Sequence, residues 1–422
     1  MALAVSRRAA LALMAGAAAM PLPASATNNV PWRSLLPPRP AADGSIPGWR
    51  VLGGRAGFRL ENGEIIGRSV EKSPNSFLCS EALFGDFILE FEVKTDPKLN
   101  TGMMIRALSR PDYRDGVVHG YQVEVDPSAR RWSGGLYDEQ RRLWLASPAH
   151  RPETMESFRA SDWNRLRVEA IGPRIRTWLN GLPAANLVDD LTLRGFFGLQ
   201  VHDVGPDPAN AGLEVRFRDM RILTDDLARH AAPIDASDEQ DYIANHLTAE
   251  RRALGWRLLW EPNRQGWLML NMPGWSVEEG CIVARNATAA PMTADSFSEF
   301  DLELDVQMEE GAEGHIGYLD NARYRLAQGP AGQGREATGT LVSRVVASNL
   351  TDPNPDKPSV KPAGLWNRVQ IMVRKDRIQH WLNGSKLVDY QRDDSNIPAK
   401  GRISLGNRTG TIRFRSLRIR PL

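Results

Sequence analysis

The chain has 422 residues, of which 42% are hydrophobic and 25% are charged, so a wholly disordered protein is excluded. Single domains hold roughly 100 to 200 residues, and this length therefore predicts two domains. The 53 Lys and Arg residues nearly balance the 51 Asp and Glu residues, which argues against a nucleic-acid partner or an anionic membrane surface. Two cysteines are too few for a zinc cluster or a disulfide scaffold.

The amino terminus predicts an export signal in residues 1–26. Arg7 and Arg8 precede an apolar stretch over residues 9–20, and a small-residue cleavage site follows. The arginine pair resembles the twin-arginine signal of bacterial proteins, and the apolar stretch is too short to span a bilayer comfortably. We therefore expect a periplasmic or secreted protein with no stable membrane span. Residues 27–45, rich in Pro and Ala, predict an extended lead-in.

The next segment, residues 46–223, predicts a first β-sandwich. Short runs with period-two alternation, such as residues 87–94, are separated by Gly, Pro, Asn and Asp. This pattern is typical of two antiparallel sheets packed face to face.

Residues 224–254 predict a short α-helical linker. Ser237 to Gln240 fits a capping box, and Tyr242 and His246 lie at helical spacing behind it. We expect one helix of about four turns here.

The signals of the first module recur in residues 255–422, which predicts a tandem repeat. The strand at 87–94 has its counterpart at 300–307. The repeated motif positions are Trp163 and Trp366, Trp178 and Trp381, Asn180-Gly181 and Asn383-Gly384, and Phe217 and Phe414. Features present in both copies serve the fold, so we assign the tryptophans to the core and the Asn-Gly pairs to hairpin turns. Cys79 and Cys281 fall in different modules, which predicts two separate buried thiols rather than one bridge.

Within the first module, a series of motifs occurs in a characteristic order. They are Asn100-Thr101-Gly102, Gly120-Tyr121-Gln122-Val123-Glu124-Val125-Asp126, Gly134-Gly135-Leu136-Tyr137-Asp138, Trp163-Asn164, Leu179-Asn180-Gly181, Gly198-Leu199-Gln200-Val201-His202 and Phe217-Arg218-Asp219-Met220-Arg221-Ile222. Together they resemble the 3-keto-disaccharide hydrolase domain family, and the second module resembles it more weakly. The resemblance implies two concanavalin A-like jelly-roll sandwiches in tandem, hence an all-β protein. It also implies cleavage of glycosides whose sugar carries a ketone at C3.

Strand alternation divides the polar residues of the first module between two faces. In a jelly roll, sugars lie on the concave sheet, and there we expect Arg106, Gln122, Glu124, Gln200 and His202 together. The alternative is that these are solvated residues of half-exposed strands. When the two repeats are aligned, Gly406 and Arg408 of the second module occupy the positions of Gln200 and His202. This predicts that the second module is a degenerate, non-catalytic copy.

The implied reaction requires a base for the hydrogen on C2, stabilisation of an enolate, and an acid for the leaving group at C1. We assign the acid and base roles to Glu124 and His202, and a positioning or enolate-stabilising role to Arg106, Gln122 and Gln200. The expected substrate-binding residues are Gln122, Gln200, Tyr137, Asp126 and Asn100. Many members of the family have Glu and Gln in the opposite order to Gln122 and Glu124, so the position of the working acid stays open.

Two other functions are compatible with the same residues. Glu124 and Asp126 lie on alternate positions of one strand, as paired carboxylates do in sandwich glucanases that hydrolyse ordinary glycosides. A non-catalytic carbohydrate-binding protein is the second alternative. We expect no required cofactor and no metal site built from histidines, while calcium stays possible. The expected partners are a carbohydrate substrate and an upstream sugar 3-dehydrogenase.

Overall fold

The computed structural model describes residues 32–261, 266–268, 270–329, 338–343, 349–351, 360–392 and 397–422. The export signal expected in residues 1–26 lies outside the described residues. No described helix is long and apolar enough to cross a membrane.

The first sandwich is built from short antiparallel strands. They are β1 (Arg33–Ser34), β2 (Trp49–Gly53), β3 (Gly57–Glu61), β4 (Glu64–Arg68), β5 (Ser76–Ser80), β6 (Phe87–Thr95), β7 (Thr101–Leu108), β8 (His119–Val125), β9 (Leu136–Glu139), β10 (Leu143–Ala146), β11 (Asn164–Ile171), β12 (Arg174–Leu179), β13 (Leu182–Val188), β14 (Phe196–Val201) and β15 (Glu214–Leu223), with helix α1 (Pro152–Glu156) between β10 and β11.

These strands form two sheets around one apolar core. The front sheet has the order β10-β9-β8-β7-β14-β5-β2, and the back sheet has the order β13-β12-β11-β6-β15-β4-β3. Alternate residues such as Leu89, Phe91, Tyr121 and Val123 fill the space between them and are fully buried or nearly so. In the expected lead-in, β1 pairs with β15 at the edge of the fold.

The second sandwich repeats this plan. Its strands are β17 (Arg257–Leu258), β18 (Trp267–Leu268), β19 (Trp275–Glu278), β20 (Cys281–Arg285), β21 (Met292–Phe297), β22 (Phe300–Met308), β23 (Glu313–Tyr318), β24 (Ala322–Ala327), β25 (Leu341–Ser343), β26 (Asn349–Thr351), β27 (Trp366–Val373), β28 (Arg377–Leu382), β29 (Ser385–Gln391), β30 (Gly401–Thr409) and β31 (Thr411–Pro421). The front sheet runs β18-β21-β30-β23-β24-β25-β26 and the back sheet β19-β20-β31-β22-β27-β28-β29. A separate apolar core lies between them.

The prediction that the repeated tryptophans belong to the core is wrong. Trp163, Trp178, Trp366 and Trp381 are half-buried rather than core residues. The Arg218 guanidinium lies 3.9 Å from the Trp163 ring centroid, and the Arg415 guanidinium lies 4.0 Å from that of Trp366. The repeat therefore preserves a cation–π pair on the outer face of each back sheet.

The linker is the main correction to the predicted fold. Residues 224–254 contain only two short helices, α2 (Leu227–His230) and α3 (Ala249–Ala253), and a two-residue strand, β16 (Gln240–Asp241). The helix expected behind the capping box at Ser237 to Gln240 is absent, because β16 pairs in parallel with β13 of the first sandwich. The helix cap lies further along, where Thr248 accepts a hydrogen bond from the Arg251 amide at 3.2 Å.

Arginine side chains explain why this linker is extended. Arg176 donates to the carbonyl oxygens of Ala232 and Pro233, both at 2.7 Å. On the second sandwich, Arg418 donates to the carbonyl oxygens of His246 at 2.8 Å and Ile243 at 3.1 Å. These bonds satisfy backbone groups that a helix would have paired internally. The linker is thus a strap along both back sheets.

The two cysteines have the state that the sequence predicted. Cys79 and Cys281 are both buried free thiols. Burial raises the pKa of Cys79 to about 12, which makes this thiol unreactive at neutral pH.

Candidate active site in the first sandwich

A polar pocket of about 420 Å³ lies on the outer face of the first front sheet. Six of the residues proposed from sequence line it: Asn100, Gln122, Glu124, Tyr137, Gln200 and His202. They come from β8, β9 and β14 and from the segments next to β7 and β14. The rest of the outer face is closed by a small apolar cluster that includes Met104 and Phe196. Polar side chains are therefore gathered at one end of the sheet.

Strand pairing sets the geometry of the pocket. Gly102 on β7 lies opposite Glu124 on β8, and Tyr137 on β9 lies opposite Gln122. A Cβ atom at Gly102 would approach Gln122 Nε2 to 2.4 Å, so the glycine leaves the space that the amide occupies. Gln122 Nε2 then donates to Gln200 Oε1 at 2.6 Å. The two side-chain amides, on β8 and β14 with β7 between them, are therefore held in a fixed orientation.

Glu124 is the most perturbed acid of the pocket. Burial raises the pKa of the Glu124 carboxyl to about 8, and the negative charge of Asp126 adds to this shift. A hydrogen bond from Asn100 Nδ2 to Glu124 Oε1, at 2.6 Å, partly opposes it. A buried carboxyl that titrates near neutral pH within a cleft is suited to proton transfer.

The wall beside Glu124 contains residues that the sequence did not indicate. Arg130 lies with its guanidinium 4.9 Å from the centroid of Trp144, and both residues line the pocket. Trp144 packs edge-on against Tyr137, with ring centroids 5.4 Å apart. Glu139, which accepts from Asn75 Nδ2 at 3.0 Å, completes this side. Arg130 and Asn75 lie in loops, where strand alternation gives no prediction.

Asp126 does not line the pocket. Its carboxylate accepts hydrogen bonds from the Ser128 amide at 3.1 Å and from Arg130 Nε at 2.7 Å. Burial opposes ionisation of Asp126, but these hydrogen bonds outweigh it and lower the pKa. The substrate contact expected at Asp126 is replaced by a structural role: this side chain fixes the loop that carries Arg130.

Arg106 is also separated from the pocket. Its backbone adopts φ 46° where the register between β7 and β8 shifts, and this bulge ends the alternation that the sequence prediction assumed. The side chain is fully buried and donates to Asp86 at 2.9 Å and to the carbonyl oxygen of Gly172 at 2.8 Å. The enolate-stabilising role expected for Arg106 is wrong, because its donors are engaged elsewhere.

His202 lies just beyond the end of β14, at the rim of the pocket. Its Nδ1 is 2.6 Å from the carbonyl oxygen of Asp203, and the half-buried ring keeps its other nitrogen for a ligand. Tyr137 adds a phenol whose pKa is raised to about 12, first by burial and then by the charges of Glu139 and Glu124. Tyr137 therefore acts as a neutral hydrogen-bond donor at ordinary pH.

The corresponding face of the second sandwich is different in size and charge. Its pocket encloses about 130 Å³ and is lined by Arg323, Arg325, Arg408, His315 and Glu313. No carboxyl on β24 takes the place that Glu124 has on β8, since β24 presents two arginines there. Among the residues that the structure describes, no group of three or more His, Cys, Asp or Glu is arranged to hold a metal ion.

Comparison with known families decides the classification. The model of the 3-keto-alpha-glucoside-1,2-lyase-like domain matches residues 32–223 and again residues 255–420. The chain belongs to this family. It contains two tandem copies of the domain, and membership places it among proteins that act on carbohydrates.

Solved structures with a similar fold each match one share of the chain. A protein of Parabacteroides distasonis, named as a candidate glycosyl hydrolase, is 21% identical with a TM-score of 0.35, over 43% of this chain and 100% of its own. The carbohydrate-binding module CBM66 of Bacillus subtilis is 19% identical with a TM-score of 0.30, over 42% of this chain and 96% of its own. A search of curated protein sequences finds no match.

Proposed function

We propose that the front-sheet pocket of the first sandwich cleaves 3-keto-glycosides by elimination across C1 and C2, followed by addition of water. The observation that carries the proposal is the buried Glu124 carboxyl with its pKa near 8, held by Asn100 and surrounded by amide donors. A ketone at C3 acidifies the hydrogen on C2, and a carboxylate of this basicity is matched to its removal.

The proposed steps use only side chains of this pocket. The Glu124 carboxylate takes the proton from C2, and the electron pair of the C–H bond moves into the C3 carbonyl to form an enolate. Gln122 and Gln200 stabilise the enolate oxygen through hydrogen bonds. The enolate then collapses and expels the oxygen at C1, which receives a proton from His202. Water then adds to the resulting enone: its OH bonds to C1 while His202 takes the remaining proton, and Glu124, after exchange of its proton with solvent, delivers H to C2. The net reaction is hydrolysis and both side chains return to their starting states.

The remaining pocket residues bind substrate in this proposal. Trp144 and Tyr137 provide an aromatic wall for a sugar ring, and Arg130 donates hydrogen bonds beside it. No cofactor takes part in the steps. The second sandwich, with arginines on its front sheet, serves as a non-catalytic partner. We further propose export by the signal in residues 1–26 and an upstream sugar 3-dehydrogenase that supplies the keto substrate.

The test is a comparison of substrates. The protein is incubated with 3-keto-trehalose and 3-keto-lactose and, in parallel, with unmodified trehalose and lactose, and released sugar is measured. We expect release from the keto substrates alone. Equal release from the parent disaccharides would make the protein an ordinary glycoside hydrolase. Saturable binding of every sugar with no product would make it a carbohydrate-binding protein.

A further inference from the structure

A second cavity lies at the junction of the two sandwiches, and none of its lining residues lines the front-sheet pocket. It encloses about 160 Å³. Ser147 from the first sandwich lines it, as do Arg251 from the end of the linker and Trp256 and Trp381 from the second sandwich. A water molecule occupies at least about 10–15 Å³ by this measure, so the space would hold roughly ten waters.

Several polar atoms of these lining residues have no hydrogen-bond partner. They are Ser147 Oγ, Arg251 Nε, Trp256 Nε1 and Trp381 Nε1. Ser147, Arg251 and Trp256 are 5%, 2% and 7% exposed, so bulk solvent does not satisfy them. Buried polar groups are nearly always hydrogen-bonded, and three N–H donors sharing one cavity require an occupant that is rich in acceptor oxygens.

The charges around the cavity indicate a neutral occupant. Asp238 is paired with Arg151 and Glu239 with Arg174. Asp301, which also lines the cavity, is paired with Arg420. Glu303 accepts from Arg251 Nη1 at 3.0 Å, which engages the charge of that arginine, while its Nε has no hydrogen-bond partner. Each acid is thus already compensated, so neither an anion nor a cation would gain a counter-charge by entering.

The arrangement of Trp256 indicates that a ligand would be bound through hydrogen bonds to its oxygen atoms rather than by stacking on the aromatic ring. The Arg251 guanidinium lies 3.8 Å from the centroid of the Trp256 ring and covers that face. The Nε1–H group of Trp256, which has no partner in the protein, is then the part of this side chain left to contact a ligand. Hydroxyl oxygens of a polyol accept from such donors, and a hydroxyl also pairs with Ser147 Oγ in either direction.

We propose that this junction cavity binds one neutral monosaccharide unit through Arg251 Nε, Trp256 Nε1, Trp381 Nε1 and Ser147 Oγ. The site is distinct from the front-sheet pocket and does not rest on the reaction proposed there. Because its walls come from both sandwiches and from the linker, bound sugar also holds the two copies together.

The experiment is equilibrium binding of D-glucose, D-galactose and myo-inositol to the full chain by calorimetry and saturation-transfer NMR. Trp256→Phe and Trp381→Phe keep the aromatic bulk and remove one donor each. We expect each variant to weaken binding roughly five- to tenfold, as for the loss of one hydrogen bond, with unchanged circular dichroism. The matched control is Trp178→Phe, the repeat-equivalent of Trp381, which does not line the cavity and should bind as the unmodified chain does.

Three results would overturn the proposal. One is the absence of saturable binding by all three probes, which would mean that water fills the cavity. The second is equal affinity in Trp256→Phe, Trp381→Phe and Trp178→Phe. The third is binding that is lost in Glu124→Gln but retained in Trp381→Phe, since this would locate the sugar in the front-sheet pocket instead.

Discussion

Replacing Glu124 by Gln is expected to lower kcat/KM for a 3-keto-disaccharide by roughly 10²- to 10⁴-fold, the usual contribution of a general base. The amide has almost the same shape and can still contact Asn100, which now donates to Glu124 Oε1 at 2.6 Å. It cannot accept the proton from C2. The change therefore removes the chemistry and leaves the pocket in place, and steady-state kinetics at substrate concentrations below KM measures the loss.

The pH dependence of the unmodified chain follows from the same group. Burial raises the pKa of Glu124 from 4.5 to about 8, so the carboxylate required of a base forms only as pH approaches that value. We expect kcat/KM to rise as pH approaches about 8. A rate that falls through this range would make Glu124 the general acid and would contradict the assignment.

The free energy of unfolding should fall with rising pH, in the opposite sense to kcat/KM. A carboxyl whose pKa is raised on folding stabilises the folded state below its unfolded pKa, and that contribution is lost as pH rises through the folded pKa. For Glu124 the window is from 4.5 to about 8. Glu124→Gln should lack this decline, and so gain stability over the unmodified chain at high pH. The matched control is Glu92→Gln on the back sheet, which should alter neither rate nor profile.

Replacing Glu303 by Gln is expected to destabilise the protein by about 3–5 kcal/mol, as when one partner of a buried ion pair is removed. Glu303 Oε1 accepts from Arg251 and Arg368 at 3.0 Å and from Arg418 at 3.1 Å, and all four side chains are at most 2% exposed. The substitution conserves volume but leaves three buried guanidinium groups with less counter-charge. Urea unfolding at neutral pH measures the effect.

The pH window of this contribution is acidic. Burial opposes ionisation of Glu303, but the three arginines lower its pKa from 4.5 to about 2. A depressed carboxyl stabilises the folded state above its unfolded pKa, and this is lost as pH falls through the folded pKa. The difference between the unmodified chain and Glu303→Gln should therefore shrink between pH 4.5 and about 2.

The repeat provides the control for Glu303. Glu90 holds the equivalent place in the first sandwich and pairs with Arg165, Arg167 and Arg221. Those arginines are 52%, 24% and 43% exposed, so water can solvate them when the carboxylate is lost. Glu90→Gln should cost about 1 kcal/mol or less. An equal loss of unfolding free energy in both variants would contradict this account. It would show that burial by the linker does not explain the strength of the ion pairs around Glu303.

The sandwiches were predictable from sequence because alternation and turn residues are local signals. The strand at Phe87–Thr95 and its copy at Phe300–Met308 lie where the period-two pattern placed them. The prediction of a helical linker was wrong because the spacing of apolar residues there fits a helix. The conformation of the linker depends instead on arginines that are distant in sequence. Tyr242 illustrates this: its hydroxyl donates to the carbonyl oxygen of Leu145, and the guanidinium of Arg368 lies 4.2 Å from its ring centroid.

The site was predictable as far as regular strands extend. Alternation correctly gathered Gln122, Glu124 and Gln200 on one face. It failed at Arg106, where a bulge with positive φ breaks the period, and at Asp126, which comes directly after the last residue of β8. Arg130 was missed because a loop has no period. These failures occur where backbone geometry is set by tertiary contacts rather than by the local pattern.

The central claim is proton abstraction at C2 of a 3-keto sugar, and its most direct test is the reaction in D₂O. The released 3-keto sugar is analysed at early times by NMR, with a parallel sample of that product incubated with Glu124→Gln to measure solvent exchange. Elimination and hydration predict one deuterium at C2 in product formed by the unmodified chain, above the level of that control. Product that retains hydrogen at C2, formed at an unchanged rate from substrate deuterated at C2, would contradict the elimination and point to direct displacement at C1.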